Sequence, residues 1–218
     1  MSSISWDSQN QRFFEAGLDR VVLYPVDGPG VPFYGVVSLE EKPSGGEIES
    51  FYIDQRKYLM ISSYEEFGAT LAAVNYPVEF RECLGIKHLA YGLMATQQPK
   101  KPFGLSYRTK IGSDTKDVGF AYKLHLVYNA MVGPTTITNT TLRDTPSMQS
   151  FSWTISTRPV PFPGFTPLSH LVIDSREVEK HYLEYLESFL YGLGNTDPMI
   201  LNPGEVLSIM SGYTLNVS

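Results

Sequence analysis

The feature that most constrains the fold is a run of apolar side chains at every second position between residues 120 and 132. The alternating residues are Phe120, Tyr122, Leu124, Leu126, Tyr128, Ala130 and Val132. Side chains of a β-strand point alternately to its two faces, so the pattern predicts one apolar-faced strand about 43 Å long. The other face, with Lys123 and His125, should be mixed and partly exposed. Such a strand is typical of a barrel, a sandwich or a tube wall, and not of a doubly wound enzyme.

Similar alternation elsewhere predicts a mainly β chain. The further predicted strands are 20–24, 36–41, 51–53, 58–61, 67–76, 103–111, 151–157 and 170–173. Residues 54–57 are predicted to be a four-residue hairpin loop, and 112–118 form the tip of a tall hairpin. The Gly- and Ser-containing segment 42–47 is predicted to be an open, flexible connector, and 80–102 to be irregular.

One long helix is predicted between Asp174 and Gly192. Asp174 and Glu177 have the spacing of a capping box, apolar residues then repeat at helical intervals, and Gly192 can end the helix. Asn202 followed by Pro203 resembles a second helix start, which predicts a short helix over 205–210.

Length and charge limit the possible functions. A chain of 218 residues fits one domain, 1–218, with an N-terminal arm at 1–19 and a C-terminal tail at 193–218. The net charge of −6 disfavours tight nucleic-acid binding. Residues 83–170 hold 9 bases and 3 acids, whereas the flanking segments are acidic. This asymmetry reflects either solvated loops or the meeting of acidic and basic segments from different copies.

Residues suited to catalysis or metal binding are sparse. Cys83 is the only cysteine, so neither an intrachain disulfide nor a cysteine metal cluster can form, and we expect it to fill apolar space. The histidines are His88, His125, His170 and His181, and none is paired at metal-ligand spacing. We expect His125 to be packed or at the surface, and His170 to contact Asp174. The sequence thus predicts no catalytic residue, no cofactor and no metal site.

Carboxylates and aromatic residues leave one enzymatic alternative open. The neighbouring pairs Glu40–Glu41 and Glu65–Glu66 each point to opposite faces of a strand. A glycosidase would need two acids from separate strands, and Trp6 and Trp153 could stack on sugars, although core or interface packing is the favoured use.

Basic residues around the tall hairpin could contact phosphate; they are Lys100, Lys101, Arg108, Lys110, Lys116 and Lys123. The polar start and the lack of an 18-residue apolar run predict neither a signal peptide nor a membrane span.

Seven segments, in one consistent order, resemble the major tail (tail tube) proteins of long non-contractile-tailed bacteriophages, especially those of actinobacterial phages. They are RFFEAGLDRVVLYP, GVPFYGVVSLEEKPSGGEIESFYIDQRKYL, FGATLAAVNYPVEF, FGLSYRTKIG, GFAYKLHLVYNAMV, FSWTISTRPV and SHLVIDSREV. The resemblance implies a tail-tube-type β-sandwich or half-barrel with one flanking α-helix at approximately 174–192. It also implies hexameric rings that stack into a hollow tube, through which the genome is ejected.

The resemblance further implies a structural, non-enzymatic virion protein of the phage tail, made in the bacterial host cytoplasm. Its expected partners are other copies of itself, a tape measure protein, and tail-terminator and distal tail proteins; double-stranded DNA passes without specific binding, and no membrane is involved. The expected subunit-interface residues are Phe13, Phe14, Lys42, Pro43, Gly45, Gly46, Asp114, Lys116 and Asp117. The alternatives are a tail-terminator or head–tail joining protein of the same fold, and a carbohydrate-active β-sandwich enzyme.

Overall fold

The chain is mainly β, as its alternating patterns predict. The structure is a computed structural model, and it describes residues 6, 9, 11–139, 141, 149–193 and 196–212. The strands are β1 (Phe13–Pro25), β2 (Val31–Pro32), β3 (Val36–Glu41), β4 (Ser44–Gly45), β5 (Ile48–Ile53), β6 (Arg56–Ser62), β7 (Glu65–Glu66), β8 (Gly68–Ala73), β9 (Lys87–Ala90), β10 (Leu93–Ala95), β11 (Phe103–Ser113), β12 (Ala121–Val132), β13 (Phe151–Thr157) and β14 (His170–Asp174). The helices are α1 (Phe80–Cys83), α2 (Lys180–Tyr191) and α3 (Pro203–Met210). Every predicted strand is present; 36–41 and 151–157 keep their predicted ends, and the ends of the others differ.

The main sheet is antiparallel and curls so that its two ends approach each other. Its strand order is β2-β1-β11-β12-β13-β8-β3, and β14 pairs with the first half of β12. The two ends of this order, β2 and β3, are linked by residues 33–35 alone. Because so short a link spans at most about 15 Å, the two ends of the strand order lie close together. Strand β1 also contacts β3 directly.

The sheet buries both of its faces. Inside the curl, Trp153 is 1% exposed and packs against the rings of Phe33 and Phe80, which confirms the packing role favoured for this tryptophan. On the outer face, Leu124 and its neighbours pack against α2 and α3 through residues such as Leu186. Two apolar cores therefore hold the middle of the sheet rigidly between them.

The long strand β12 is confirmed, but its two faces are not those that simple alternation predicts. Leu126 faces the helices, whereas Val132 belongs to the inner core. The change occurs around Asn129, whose φ is 48° and where the pairing with β11 shifts register. A bulge inserts one residue, so the side chains beyond it change face. The prediction of a partly wet opposite face holds at Lys123 and Met131 and fails in the middle of the strand, where His125 and Val127 are both buried.

The predicted N-terminal arm, 1–19, is wrong for its last seven residues. Strand β1 begins at Phe13 and pairs with β11 from there onward. Two register shifts, near Gly17 (φ 81°) and Arg20 (φ 47°), interrupt the strand. The edge of β11 provides backbone partners for these residues, and such pairing satisfies groups that would otherwise need other hydrogen-bond partners.

The predicted start of the long helix at Asp174 is also wrong. Asp174 ends β14, where it pairs with Lys123 of β12, and its carboxylate accepts hydrogen bonds from the backbone and side chain of Arg176. The helix α2 begins at Lys180, after Glu179 in extended conformation, and ends at Gly192 with a left-handed φ of 68°. Strand pairing has overridden the capping-box pattern.

The predicted C-terminal tail, 193–218, contains a packed helix. Asn202 and Glu205 form a capping box at the start of α3, and Pro203 occupies its first turn. Val206 and Ile209 are buried against α2. The predicted short helix is therefore confirmed, and a second helix joins the flank for which the resemblance implies only one.

Candidate assembly surface and the Glu41 cluster

A long β-hairpin, residues 42–66, extends from the sheet and is called the arm here. It continues the β3–β8 pair: Lys42 donates its backbone N–H to Gly68, β4 pairs with β7, and β5 pairs with β6. The predicted open connector at 42–47 is therefore wrong, because this segment is one side of a paired ladder. At about 3.3 Å per residue, the arm reaches up to about 40 Å.

Two glycines and a tight turn set the shape of the arm. A Cβ atom at Gly45 would lie 2.5 Å from the carbonyl oxygen of Tyr64, and one at Gly68 would lie 2.5 Å from that of Lys42. The turn at the tip contains only Asp54 and Gln55, with φ of 50° and 64°. Two positive φ values are typical of a type I′ hairpin turn, so the predicted four-residue loop is wrong.

The arm carries large apolar side chains that the described part of the chain leaves exposed. They are Ile48, Phe51, Tyr52, Ile53, Tyr58, Leu59, Met60, Ile61 and Tyr64. Phe51 pairs directly with Leu59 across the hairpin, and they are 46% and 47% exposed. An isolated two-stranded hairpin is marginal in water, and an exposed apolar patch marks an interaction site. The arm is therefore a candidate binding surface.

A short hairpin, residues 87–95, has the same character. It consists of β9 and β10, joined at Tyr91 and Gly92, within the segment predicted to be irregular. Leu89, Leu93 and the fully exposed Tyr91 project from it. This hairpin is a second exposed apolar feature that another molecule could cover.

The structure separates the predicted interface residues into two groups. Lys42, Pro43, Gly45 and Gly46 lie at the base of the arm, where Lys42 also pairs with Glu40 at 3.1 Å. The other group lies where β1 meets the tip of the tall hairpin, and comprises Phe13, Phe14, Asp114, Lys116 and Asp117. Sequence reasoning missed the most exposed part of the arm, although its aromatic and β-branched content was a visible signal.

The second group forms a compact aromatic and charged corner. The ring centroids of Phe13 and Phe120 are 6.4 Å apart, and the Lys116 ammonium lies 4.8 Å from the Phe120 ring. Phe14 covers Gly112, where a Cβ atom would come within 2.5 Å of the Phe14 ring. Phe13 and Phe14 are about half exposed. The corner thus combines a fixed backbone with an accessible apolar surface.

The basic residues of the tall hairpin are largely paired within the chain. Arg108 makes two hydrogen bonds to Asp19, at 3.0 and 3.1 Å, Lys123 pairs with Glu15, and Lys101 bridges Asp27 and Glu82. These pairs join the basic middle segment to the acidic N-terminal segment of the same molecule. The charge asymmetry therefore does not require contacts between copies, and these residues do not form a free phosphate site.

The end of β3, the middle of β12 and the start of β14 bring Glu41, His125 and His170 together. The Nδ1 atom of His125 lies 3.1 Å from Nε2 of His170 and 3.7 Å from Oε1 of Glu41. The hydroxyl of Tyr107 donates to Oε1 of Glu41 at 2.6 Å, and its ring stacks on His125 at 4.4 Å. Thr109 Oγ1 is 3.1 Å from the other ring nitrogen of His125.

Burial controls the protonation of this cluster. It lowers the pKa of His125 to about 4, with a further contribution from His170, and it also lowers the pKa of His170. The expected contact of His170 with Asp174 is wrong, because the two residues are separated along one extended strand. The sequence predicts no metal site because no two histidines have metal-ligand spacing along the chain. Sheet pairing nevertheless brings Glu41, His125 and His170 together, although they are far apart in sequence.

Two further features bear on chemistry. Cys83 is buried, as expected, and burial raises its thiol pKa to about 12, which is unfavourable for a nucleophile. A groove of about 880 Å³ lies between β1, the β2–β3 turn and α2, lined by residues such as Val22, Val36 and Tyr191. Its lining also includes Asp19, Arg20, Glu184 and Glu187, so the groove combines apolar and charged side chains.

Comparisons with known proteins provide distant structural similarities only. No protein-family model matches the chain, and no curated protein matches it. A chain of the anti-feeding prophage baseplate is similar at 8% identity and a TM-score of 0.36, covering 79% of this chain and 97% of that one. A chain of the tube-terminating cap of the anti-feeding prophage is similar at 12% identity and a TM-score of 0.32, covering 80% and 96%. At these scores the similarities carry no conclusion about function.

Among the described residues, none of the helices has both the length and the apolar character that a membrane span needs.

Proposed function

We propose that the chain is a structural protein of the phage virion that polymerises as stacked rings into the tail tube, the channel for genome ejection. The observation that supports this function is the exposed apolar surface of the arm. A second support is the consistent order of the segments that resemble major tail proteins. The proposal gives the chain no catalytic role.

The arm favours contacts between copies on energetic grounds. Fully burying an exposed Phe or Leu side chain contributes about 1.5–3 kcal/mol, and covering the half-exposed Phe51 and Leu59 would contribute about half of that each. Burial of several arm residues could therefore offset the cost of ordering the hairpin. Phe51 and Leu59 lie side by side and would be covered together. A contact of this kind, repeated head to tail between identical molecules, closes into a ring or extends into a filament.

Unpaired strand edges support the same assembly. Among the described strands, β3 pairs only with β8, and β14 pairs only with β12. Open edges are liable to uncontrolled association, which a ring of joined sheets would prevent. We propose that six copies close such a ring, and that the arm and the Phe13 corner contact neighbouring rings.

The channel and the partners of the proposed tube are those that the resemblance to tail tube proteins implies. Six copies with a net charge of −6 would carry about −36 per ring. Net negative charge would disfavour adhesion of DNA phosphates, so double-stranded DNA would pass without specific binding. The tape measure protein, a tail-terminator protein and distal tail proteins would be the other partners. The protein would be made in the host cytoplasm and reside in the virion tail.

Substitutions on the arm test the proposal. In the Phe51→Lys/Leu59→Lys double variant, like charges replace an apolar pair that contacts neither core. We expect a thermal unfolding midpoint within a few degrees of wild type and no tubes in negative-stain images. A second variant deletes residues 47–63 and joins Gly46 to Tyr64, whose backbones are hydrogen-bonded at 3.2 Å. It should also keep the wild-type unfolding midpoint within a few degrees and form no tubes.

A matched control replaces an exposed aromatic residue elsewhere. Phe165→Lys, in the loop between β13 and β14, should assemble as wild type, because Phe165 is 64% exposed and lies outside the arm. Tubes of normal length from the double variant would contradict the assigned role of the arm. Wild-type protein that stops at single rings would instead favour the tail-terminator or joining alternative.

A further inference from the structure

We propose that Glu41, His125 and His170 bind one divalent transition-metal ion, with Zn²⁺ as the best-fitting candidate. The three residues come from β3, β12 and β14, and one ligand atom of each lies within 4.8 Å of the others. The proposal concerns the folded single chain and does not depend on the assembly proposed above.

The separations between the ligand atoms suit a tetrahedral ion. Zinc binds imidazole nitrogen and carboxylate oxygen at about 2.0–2.2 Å, so two tetrahedral ligands lie about 3.3 Å apart. The observed separations are 3.1 Å between the two histidine nitrogens and 3.7 Å between His125 Nδ1 and Glu41 Oε1, and the ligand atoms of Glu41 and His170 lie within 4.8 Å. Small side-chain rotations would bring all three atoms onto one ion. Without a metal, the two ring nitrogens are close enough to share one hydrogen bond.

Neighbouring residues orient two of the ligands in the manner found around metal ions. Thr109 Oγ1, 3.1 Å from His125 Nε2, can accept the proton of that nitrogen, which leaves the Nδ1 lone pair for a metal. The Tyr107 hydroxyl holds the Glu41 carboxylate at 2.6 Å. Such outer partners fix the tautomer and direction of the ligands and strengthen binding.

A small cavity on the exposed side gives access and room for a fourth ligand. It measures about 250 Å³ and is lined by Glu41, His170, Glu65 and Ser169, among others. Ser169 is 5% exposed, and its buried hydroxyl has no hydrogen-bond partner among the described residues. A water molecule needs about 30 Å³, so a metal-bound water would fit in this polar space. This gives the open coordination position seen in zinc sites with three protein ligands.

The donor set selects the class of metal. Two imidazoles and one carboxylate suit Zn²⁺, Co²⁺ and Ni²⁺ better than Mg²⁺ or Ca²⁺, which prefer six or more oxygen ligands. Bound metal would tie the last residue of β3, where the arm begins, to β12 and β14. The ion would therefore stiffen the root of the arm.

Metal titration of the chelator-treated full chain tests the proposal. We expect one Zn²⁺ per chain by calorimetry, visible absorption of four-coordinate Co²⁺, and no binding of Mg²⁺ at the same concentrations. Glu41→Gln and His170→Gln, which alter partly exposed ligands, should each lower Zn²⁺ affinity at least tenfold. Tyr107→Phe, which keeps the stacked ring, should lower it about tenfold through loss of ligand positioning.

His181→Gln is the matched control, because His181 lies 3.4 Å from Glu179 at the surface and could bind zinc adventitiously. This variant should bind Zn²⁺ as wild type. The proposal is overturned if His170→Gln binds with unchanged affinity and stoichiometry, if His181→Gln abolishes binding, or if wild type binds no Zn²⁺. Tube formation is not measured here, so a failure of the metal site leaves the assembly test intact.

Discussion

Arg108 illustrates how single side chains connect elements that are distant in sequence. It binds Asp19 of β1, lies 4.3 Å over the ring of Tyr122 of β12, and is 3.7 Å from the carboxylate of Glu187 on α2. Tyr122 in turn donates to Glu187 at 2.8 Å. This network fixes α2 against the outer face of the sheet, because a guanidinium can satisfy two carboxylates at once.

The Asp19–Arg108 pair makes stability depend on pH. Partial burial raises the pKa of the Asp19 carboxyl, but the hydrogen bonds and charges of Arg108 and Lys110 outweigh it, and the net pKa is lowered from 3.8. A group with a lowered folded-state pKa stabilises the fold above its unfolded pKa and loses that effect as pH falls through the folded value. The contribution is therefore present above about pH 4 and is lost below it.

We expect Asp19→Asn to lower the free energy of unfolding by about 1–2 kcal/mol at pH 7 and by less at pH 2.5. Urea denaturation at the two pH values measures this difference. Glu184→Gln is the control, because its pair with Lys180 is largely exposed and should contribute nothing measurable. An equal effect of Asp19→Asn at both pH values would contradict the assigned charge interaction.

At the scale of elements, backbone irregularities decide which residues share a face. The strands could be predicted from alternation, because burial of one face requires period 2. The face change around Asn129 could not, because a non-glycine residue at φ 48° leaves no distinctive mark in the apolar pattern. The same applies to the Glu41 cluster, whose members meet only after β3, β12 and β14 take their places in the curled sheet.

Substitution of Asn129 tests the importance of this irregularity. We expect Asn129→Val to destabilise the fold by about 1–2 kcal/mol, since β-branched residues are disfavoured at positive φ. Asn129→Gly is the matched control and should be tolerated. Chemical denaturation measures both, and equal stability of the two variants would show that the register shift does not need a left-handed residue.

At the scale of the whole molecule, two buried cores fix the sheet, whereas the arm lacks an apolar cover in the described part of the chain. The mainly β fold with a helical flank could be predicted from alternating apolar positions and from the helical spacing before Gly192. The length of the arm could not be predicted, because the sequence pattern predicts a flexible connector at Gly45 and Gly46 and a four-residue loop at 54–57 in place of a paired ladder with a two-residue turn.

Hydrogen exchange would report the fate of the arm. We expect backbone amides of β5 and β6 to exchange rapidly in dispersed protein and to become protected upon assembly, because the pairing of an uncovered hairpin opens easily. Amides of β11 and β12, held between the two cores, should be protected in both states and serve as the internal reference. Equal exchange of β5 and β6 in both states would mean that the assembly does not use the arm.

Self-assembly of the wild-type chain is the central claim, and electron microscopy of the purified protein tests it directly. At concentrations that favour polymerisation, the account predicts hollow tubes of uniform diameter built from stacked six-fold rings. Protein that remains a single dispersed molecule under all such conditions, with no counterpart in intact virions, would contradict it.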